Sequence, residues 1–333
     1  MLHHALSVLL RGTASAALLF AILLPATAAD KRKAITSIQA AGEDYAMQGE
    51  YAGGVSLENG TQDFGAQVIA LGDGTFEVVG YTGGLPGDGW QRGDEVTRIK
   101  TQLVDGQLRF QHKKAEIVVD GQEMRIIRDD NVLGRLKKVD RKSPTLGAEP
   151  PAGAVVLFDG RDAQHFKNGK LVEGKWLAAS GCESKQKFGD HRLHIEFRTP
   201  FMPHARGQAR GNSGVYVQSR YEVQVLDSFG LEGKDNECGG IYKVSPPEVN
   251  MCLPPLQWQT YDIDFQAARY NDAGEKTQNA RITVRHNGVL IHENRELPAA
   301  TPGRHKEGPE GDALFLQDHG NPVVFRNIWV VPQ

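Results

Sequence analysis

The chain lacks the charge pattern of a nucleic-acid-binding protein. Its 333 residues carry 38 Lys and Arg against 41 Asp and Glu, which gives a formal net charge of −3. Binding to nucleic acid depends on clustered Lys and Arg side chains that neutralise phosphates. The one short basic run, at residues 31–33, is typical of a solvated segment. We therefore expect no nucleic-acid partner.

Sequence motifs for metal binding, nucleophilic catalysis and cofactor binding are also missing. The chain has no H-E-x-x-H, Walker, G-x-S-x-G, EF-hand or C-x-x-C motif. The glycine-rich stretch at residues 83–90 lacks the G-x-G-x-x-G order and predicts a loop rather than a dinucleotide site. We expect no cofactor and no metal site. A divalent cation could assist the chemistry discussed below, although no ligand spacing demands one.

Cysteine is scarce, with only Cys182, Cys238 and Cys252 in the chain. An oxidising compartment permits disulfides, and a bond between Cys238 and Cys252 would close a short loop. The odd count leaves Cys182 buried or free. The sequence alone leaves open whether the other two thiols are joined.

One long apolar run is present, at the N-terminus. Arg11 precedes "AALLFAILLPATAA" at residues 16–29, which ends in small residues. A basic start, a short apolar core and an A-x-A-like end predict a secretory signal peptide over residues 1–29. The run is short for a membrane span, although an uncleaved anchor is the alternative. We expect an exported protein, periplasmic or extracellular, with no membrane span after signal cleavage.

Helical periodicity is rare in the rest of the chain, and strand signals dominate. Residues 30–140 predict a small β-rich domain of unknown role, with a helical turn within residues 34–49. Asp-Gly pairs at residues 73–74, 105–106 and 120–121 lie between β-branched or aromatic runs and predict hairpins of a small sheet or barrel. Residues 141–153 are rich in Pro and Gly and predict an exposed linker.

Residues 154–333 continue the strand pattern, with a further hairpin turn at Asn287 and Gly288. Many strands and few helices indicate an antiparallel sandwich of the jelly-roll type. The expected fold is therefore all-β, with a jelly-roll sandwich preceded by a smaller β-rich domain.

The stretch "NSGVYVQSRYEVQVLDS" at residues 212–228 places acidic and amide side chains within a strand. Because strand side chains alternate, Glu222 and Gln224 face away from their apolar neighbours. Glu222, Gln224 and Asp227 resemble the E-x-D-x-x-E signature of laminarinase-type glucanases, but two positions differ. Asp227 falls on the other face, about 16 Å along an extended strand. A retaining glycosidase needs its carboxyl groups about 5–5.5 Å apart, so two-carboxylate hydrolysis is poorly supported.

An ordered set of motifs gives a more specific resemblance. The set begins at residue 157 and ends at residue 330. In chain order it comprises "LFDG", "FGDHRLHIEFRTP", "GNSGVYVQSRYEVQVLDS", "GGIY", "HNGVLI" and "LQDHGNPVVFRNIWV". Together they resemble the 3-keto-disaccharide hydrolase domain, which has a concanavalin A-like fold, over nearly all of residues 154–333. The sequence departs at Gln257-Trp258-Gln259, where the family usually has Glu-Trp-Asn, so substrate specificity here could differ.

The resemblance implies cleavage of 3-keto-glycosides, including 3-keto-disaccharides. A ketone at C3 acidifies the C2 proton, so a base can remove it and the aglycone can leave from C1, after which water adds. This path needs a base, an acid and donors that stabilise the enolate. We predict Glu222 as the base, His319 as the acid and Arg198 as the cation beside the enolate. A separate sugar 3-dehydrogenase is implied as the pathway partner that makes the ketone.

Further side chains are predicted to bind the sugar by hydrogen bonds or ring stacking. They are Gln224, Gln317, Asp318, Asn212, Tyr216, Tyr242 and Trp258. Each has a structural alternative, because buried aromatics and turn-forming polar residues are common. A non-catalytic carbohydrate-binding module is the alternative function, and a conventional β-glucanase is a third.

Overall fold

A computed structural model describes residues 33–333 of the chain. The protein is nearly all β, with 51% of residues in strands and 4% in helices, as the sequence predicted. The predicted signal peptide at residues 1–29 lies outside the described residues. Within residues 33–333 no helix is both long and apolar enough to cross a membrane.

The N-terminal part is a closed antiparallel barrel of eight strands. A 3₁₀ turn at Ile38–Ala40 and helix α1 at Gly42–Met47 precede it. Its elements are β1 (Gly49–Leu57), β2 (Gly60–Gly72), β3 (Thr75–Thr82), the short β4 (Leu85–Pro86) and β5 (Gly89–Trp90), β6 (Val96–Val104), β7 (Gln107–His112), β8 (Ala115–Val119), β9 (Glu123–Arg128) and β10 (Asn131–Val139). The barrel closes in the order β1-β10-β9-β8-β7-β6-β3-β2, while β4 and β5 pair in the loop before β6.

The hairpin turns form where the Asp-Gly pairs predicted them. Asp73 and Gly74 have φ angles of 53° and 68°, and Asp105 and Gly106 have 49° and 72°. Two consecutive residues with positive φ match the right-handed twist of the joined strands, and glycine adopts this conformation at little cost. The pairs at residues 73–74 and 105–106 therefore join β2 to β3 and β6 to β7.

Helix α1 covers one end of the barrel. Met47 packs in the barrel core, and its carbonyl accepts a hydrogen bond of 2.8 Å from the Tyr51 hydroxyl. Phe201 and Leu256, from the C-terminal part, join the same apolar cluster. The opposite end of the barrel carries the turns at residues 58–59, 113–114 and 129–130 and the segment 83–95.

The C-terminal part is a sandwich of two antiparallel sheets. Its strands are β11 (Val155–Phe158), β12 (Phe166–Lys167), β13 (Leu171–Val172), β14 (Trp176–Ala178), β15 (Cys182–Phe188), β16 (His191–Arg198), β17 (Ser213–Val217), β18 (Tyr221–Val225), β19 (Gln259–Gln266), β20 (Arg269–Tyr270), β21 (Lys276–Gln278), β22 (Ala280–His286), β23 (Val289–Leu297), β24 (Asp312–Leu316) and β25 (Val324–Pro332). A further 3₁₀ turn lies at Gly207–Ala209. The larger sheet has the order β13-β14-β25-β16-β19-β22-β23, with β11 beside β25; the smaller has the order β12-β15-β24-β17-β18.

The apolar faces of both sheets form one core between them. Leu193, Ile195 and Phe197 of the larger sheet meet Val223 and Val225 of the smaller sheet in a single buried cluster. Side-chain alternation then turns the polar residues of each strand away from this core. The two polar faces therefore lie on opposite sides of the sandwich.

The predicted linker at residues 141–153 has no helix or strand and is partly exposed, but part of it docks on the sandwich. Ser143 is 6% exposed. The Thr145 hydroxyl donates a hydrogen bond of 2.6 Å to Asp262, and the Gly147 amide donates one of 2.6 Å to Glu196. Both carboxylates lie on the outer face of the larger sheet. Proline and glycine content predicts a chain without regular structure, but it does not predict whether that chain docks on a surface.

Besides the apolar contacts of Phe201 and Leu256, arginine side chains join the barrel and the sandwich by hydrogen bonds. Arg92 donates hydrogen bonds to the carbonyl groups of four residues: Glu232, Gly233, Pro247 and Glu248. Arg98 donates to the Gly230 carbonyl at 2.8 Å. From the sandwich side, Arg206 and Arg210 donate to the carbonyls of residues 71 and 70 in β2.

The three cysteines are free and buried in the sandwich. Cys238 lies 3.2 Å from the Tyr261 hydroxyl, measured from Sγ, and burial raises the pKa of the Cys252 thiol. The structure therefore contains no disulfide between Cys238 and Cys252.

Candidate functional site

The outer face of the smaller sheet carries two adjacent rows of polar and aromatic side chains. Glu222 on β18 pairs with Tyr216 on β17, which pairs with Phe315 on β24. The next row contains Gln224, Gly214 and Gln317. Every residue of β17 and β18 is buried, on both faces of the sheet. Loops therefore cover this polar face, and it does not simply meet water.

Three loop segments supply the cover. The segment 239–242 runs along the free edge of β18, where the Tyr242 amide donates to the Glu222 carbonyl at 3.1 Å. Thr301 accepts a hydrogen bond of 2.9 Å from the Glu222 amide. Gln208, in the 3₁₀ turn at Gly207–Ala209, accepts a hydrogen bond of 3.2 Å from the Gln224 side chain. Glu222 is thus fixed by its backbone while its side chain stays on the covered face.

The Glu222 carboxyl group is buried without a cationic partner. It is 2% exposed, and its Oε2 accepts a hydrogen bond of 2.7 Å from the Tyr216 hydroxyl. No ion pair to it is formed by the residues that the structure describes. Burial raises its pKa from 4.5 to about 7, and the Tyr216 hydrogen bond opposes part of that rise. A carboxyl group with a pKa near neutrality is well suited to take and return a proton.

Glycines create the space that the carboxyl group occupies. A Cβ atom at residue 214 would lie 2.3 Å from Oε1 of Glu222, and a Cβ atom at Gly303 would lie 3.2 Å from the Tyr216 hydroxyl. Any side chain at residue 214 would therefore displace the Glu222 carboxyl group.

The amide side chains beside Glu222 have unused hydrogen-bonding capacity. Gln224 donates to Oδ1 of Asn212 at 3.0 Å, but its own Oε1 is buried without a partner. Gln317 donates weakly to the Tyr216 hydroxyl at 3.4 Å, and its Oε1 is likewise buried and unpartnered. Buried polar atoms without a partner are uncommon in native proteins, since each costs free energy. These oxygens can accept hydrogen bonds from hydroxyl groups of a bound molecule.

Arg304 is a cationic residue of this face that sequence reasoning missed. Its guanidinium lies 3.7 Å from the centre of the Phe315 ring, and its Nε is buried without a partner. Its Nη2 lies 3.6 Å from Glu183, on β15 of the same sheet. The residue lies in an irregular loop, where strand periodicity gives no signal. Its position just after Pro302 and Gly303 was the available hint, since such loops commonly carry function.

Asp227 is held in a structural ion pair. Its Oδ2 accepts a hydrogen bond of 2.7 Å from Nε of Arg210, and its side chain has no exposed surface. The glucanase-like pairing of Glu222 with Asp227 is thus not available, in line with the spacing argument from the sequence.

Arg198 and Trp258 do not lie with Glu222, and this corrects the predicted constellation. Arg198 is on the outer face of the larger sheet, where its guanidinium lies 4.1 Å from the Trp176 ring and 5.3 Å from the Trp258 ring. Glu222 is on the outer face of the other sheet, so the hydrophobic core separates them. Alternation within β16 correctly gave the polar face of Arg198 but could not tell which sheet β16 joins.

The remaining predicted residues occupy the margins of the Glu222 face. Asp318 is exposed and accepts a hydrogen bond of 2.9 Å from the Gly320 amide, which shapes the turn after β24. His319 is exposed in the same turn, two residues beyond Gln317. The structure shows no hydrogen bond or ion pair of its ring with any of residues 33–333. Tyr242 is half-buried and lies beside Glu222 through its backbone.

Thus the structure brings together five predicted residues: Glu222, Gln224, Gln317, Asn212 and Tyr216. Among the residues described, no group of three or more His, Cys, Asp or Glu side chains is arranged to hold a metal ion.

The chain thus contains a β-sandwich of the jelly-roll type whose smaller sheet carries a buried carboxyl group. The sequence model of one family, described as the 3-keto-alpha-glucoside-1,2-lyase-like domain, matches residues 153–331. The chain belongs to this family, as the motifs at residues 157–330 indicated.

Solved structures give further likenesses. A candidate glycosyl hydrolase from Parabacteroides distasonis ATCC 8503, solved at 2.13 Å, is 31% identical with a TM-score of 0.50, and the match covers 55% of this chain and 85% of that one. A second from the same organism, solved at 1.70 Å, is 18% identical with a TM-score of 0.40, over 54% of this chain and 94% of that one. No curated protein matches the chain. The family and the first relative support a glycosidase-type function.

Proposed function

We propose that the sandwich cleaves 3-keto-glycosides by elimination between C1 and C2 followed by hydration. The observation that carries this proposal is the Glu222 carboxyl group, buried, unpaired with a cation and with its pKa raised to about 7. A proton beside a ketone is removed by a single base whose pKa lies near the working pH. Family membership supports the same chemistry, because elimination across C1 and C2 is what a 1,2-lyase performs.

The proposed reaction begins with loss of the proton at C2. Ionised Glu222 takes the C2 proton, and the electron pair moves toward the C3 oxygen to form an enolate. The enolate collapses, the bond between C1 and the aglycone oxygen breaks, and that oxygen takes a proton from an acid. Water then adds to C1 of the enone while C2 regains a proton. The net reaction is hydrolysis, with no change in oxidation state.

The residues around Glu222 suggest how the substrate is held. The free Oε1 atoms of Gln224 and Gln317 accept hydrogen bonds from sugar hydroxyls. Arg304, rather than Arg198, stabilises the enolate oxygen, since it lies on the Glu222 face and has a buried Nε without a partner. His319, exposed after Gln317, supplies the proton for the aglycone oxygen.

The partners and location follow as further parts of the proposal. The reaction consumes a ketone that this chemistry does not make, so a separate sugar 3-dehydrogenase supplies the substrate. The signal-like segment at residues 1–29 supports action in the periplasm or outside the cell.

The decisive experiment uses 3-keto-trehalose or 3-keto-lactose carrying deuterium at C2, beside the parent sugars, with and without chelator. We expect release of 3-keto-glucose from the oxidised sugars alone, slowed several-fold by deuterium. Glu222→Gln should abolish turnover and retain binding, while the exposed Glu58→Gln should behave as wild type. Cleavage of unoxidised sugars would refute the proposal in favour of a conventional glucanase. Binding without turnover by the wild-type protein would identify a carbohydrate-binding module.

A further inference from the structure

The barrel contains a cavity at the end opposite helix α1. The cavity has a volume of about 400 Å³, within the range of small-molecule sites. Interior-facing residues of the barrel strands line it, and most are apolar: Val78, Ile99, Phe110, Ile117, Met124 and Ile126. Turns at residues 58–59, 113–114 and 129–130 surround its mouth. The cavity is separate from the Glu222 face, which lies on the sandwich.

The cavity exists because interior side chains become smaller from the helix α1 end of the barrel toward its mouth. Near helix α1 the interior is filled by large residues such as Phe76 and Leu108, both fully buried. Toward the mouth, small residues replace them at Ala66, Gly80 and Ala115. A Cβ atom at Gly80 would meet nothing nearer than 3.9 Å, so a larger side chain would fit there. Eight-stranded barrels are just wide enough either to be filled by side chains or to hold one small ligand.

One cation at the mouth has no partner. Arg128 lies on β9 two residues beyond Ile126 and four beyond Met124, so alternation turns it to the same interior face. Its Nε is buried without a hydrogen-bond partner, and it forms no ion pair within residues 33–333. Lys113, also at the mouth, is exposed and forms an ion pair of 3.5 Å with Glu95. Arg128 as a whole is half-buried, and an anionic ligand group could pair with its guanidinium and satisfy the buried Nε.

We propose that the barrel binds a small amphiphilic carboxylate with an unbranched apolar chain. The chain occupies the cavity, and the carboxylate pairs with the planar guanidinium of Arg128, whose two parallel N–H donors match a carboxylate. The proposal does not depend on the chemistry at Glu222.

Isothermal titration of the full chain with octanoate, decanoate and dodecanoate tests the proposal. Each buried methylene group should raise the affinity about fourfold until the cavity is full. Arg128→Met should weaken dodecanoate binding at least tenfold and leave dodecanol binding unchanged. The control Arg109→Met, on β7 of the same barrel but with its side chain 56% exposed on the outside, should bind dodecanoate as wild type does. Dodecyl phosphate, compared with dodecanoate, distinguishes a carboxylate site from a general anion site.

Blocking variants complete the test. Gly80→Leu and Ile126→Trp each fill the cavity and should abolish binding, while melting curves report whether each variant is folded. Turnover of a 3-keto-glycoside should stay unchanged in Arg128→Met, which separates this proposal from that for the sandwich. The proposal of a carboxylate site in the barrel would be overturned if affinity did not depend on chain length, or if Arg128→Met and Arg109→Met lost equal affinity. It would also be overturned if dodecyl phosphate bound more tightly than dodecanoate, or if a folded blocking variant bound as well as wild type.

Discussion

The raised pKa of Glu222 predicts that stability and activity respond to pH in opposite directions. Its carboxyl group has an ordinary pKa of 4.5, and burial raises it to about 7 in the native protein. The native state therefore holds this proton more tightly than the unfolded chain does. The stability that protonated Glu222 contributes is complete below pH 4.5 and is lost progressively between pH 4.5 and about 7. The difference, at 1.36 kcal/mol per pKa unit, is about 3 kcal/mol for this nearly unexposed group.

Denaturant unfolding of wild type, Glu222→Gln and Glu58→Gln from pH 4 to pH 9 measures this term. Glutamine cannot ionise, so wild type should lose about 3 kcal/mol relative to Glu222→Gln across the window. The exposed Glu58→Gln should follow wild type. Over the same range, kcat/KM on a 3-keto-glycoside should rise through about pH 7 as the base ionises. A difference between wild type and Glu222→Gln that stays flat with pH would refute the reasoning, since the carboxyl group would then have an ordinary pKa.

Three further variants test the surroundings of the carboxyl group. Gly214→Ala should displace the Glu222 carboxyl group and lower kcat at least about tenfold. The control Gly189→Ala, with open space around its Cβ, should leave kcat unchanged. Equal kcat values for the two variants would contradict the steric argument. Tyr216→Phe removes the hydrogen bond that lowers the pKa of Glu222, so the acidic limb of the pH–rate profile should move upward by on the order of one pH unit, and a shift toward lower pH would be inconsistent with this role. Asp227→Asn breaks the buried ion pair with Arg210 and should lower the free energy of unfolding by about 3–5 kcal/mol, measured by denaturant unfolding. The folded fraction should keep its kcat. A loss of kcat with unchanged stability would instead indicate that Asp227 takes part in catalysis.

Local features of the fold were predictable from the sequence, and closure of the barrel was not. The pairs Asp73-Gly74 and Asn287-Gly288 form the predicted hairpin turns, with positive φ at both residues of each pair. Such turns depend on neighbouring residues only. Barrel closure pairs Val55 with Gly134, and no local signal marks two strands so far apart in the chain. The docked segment at residues 143–148 was missed for the same reason.

The alternation of side chains along a strand predicted those residues of the candidate site that lie on the same strand. The pattern correctly placed Glu222 and Gln224 together on the polar face of β18. The same logic placed Arg198 on a polar face, but a sandwich has two such faces on opposite sides. Arg304 reaches the Glu222 face from a loop whose path depends on tertiary packing. Sequence therefore indicated the carboxyl group and its amide neighbours, and not the cation.

The arginines that join the barrel to the sandwich donate mainly to backbone carbonyls. Arg92 alone reaches four of them, and Arg98 and Arg206 follow the same pattern. A main-chain oxygen is present whatever residue occupies its position, so substitutions on the accepting side leave the junction intact. Natural variants should consequently drift freely at the exposed acceptor residues Glu232 and Glu248 without compensating changes across the boundary. Gly230 and Gly233 should not drift, because both have positive φ and little room for a Cβ atom. Methods that find contacts through paired substitutions would overlook the Arg92 contacts with Glu232 and Glu248.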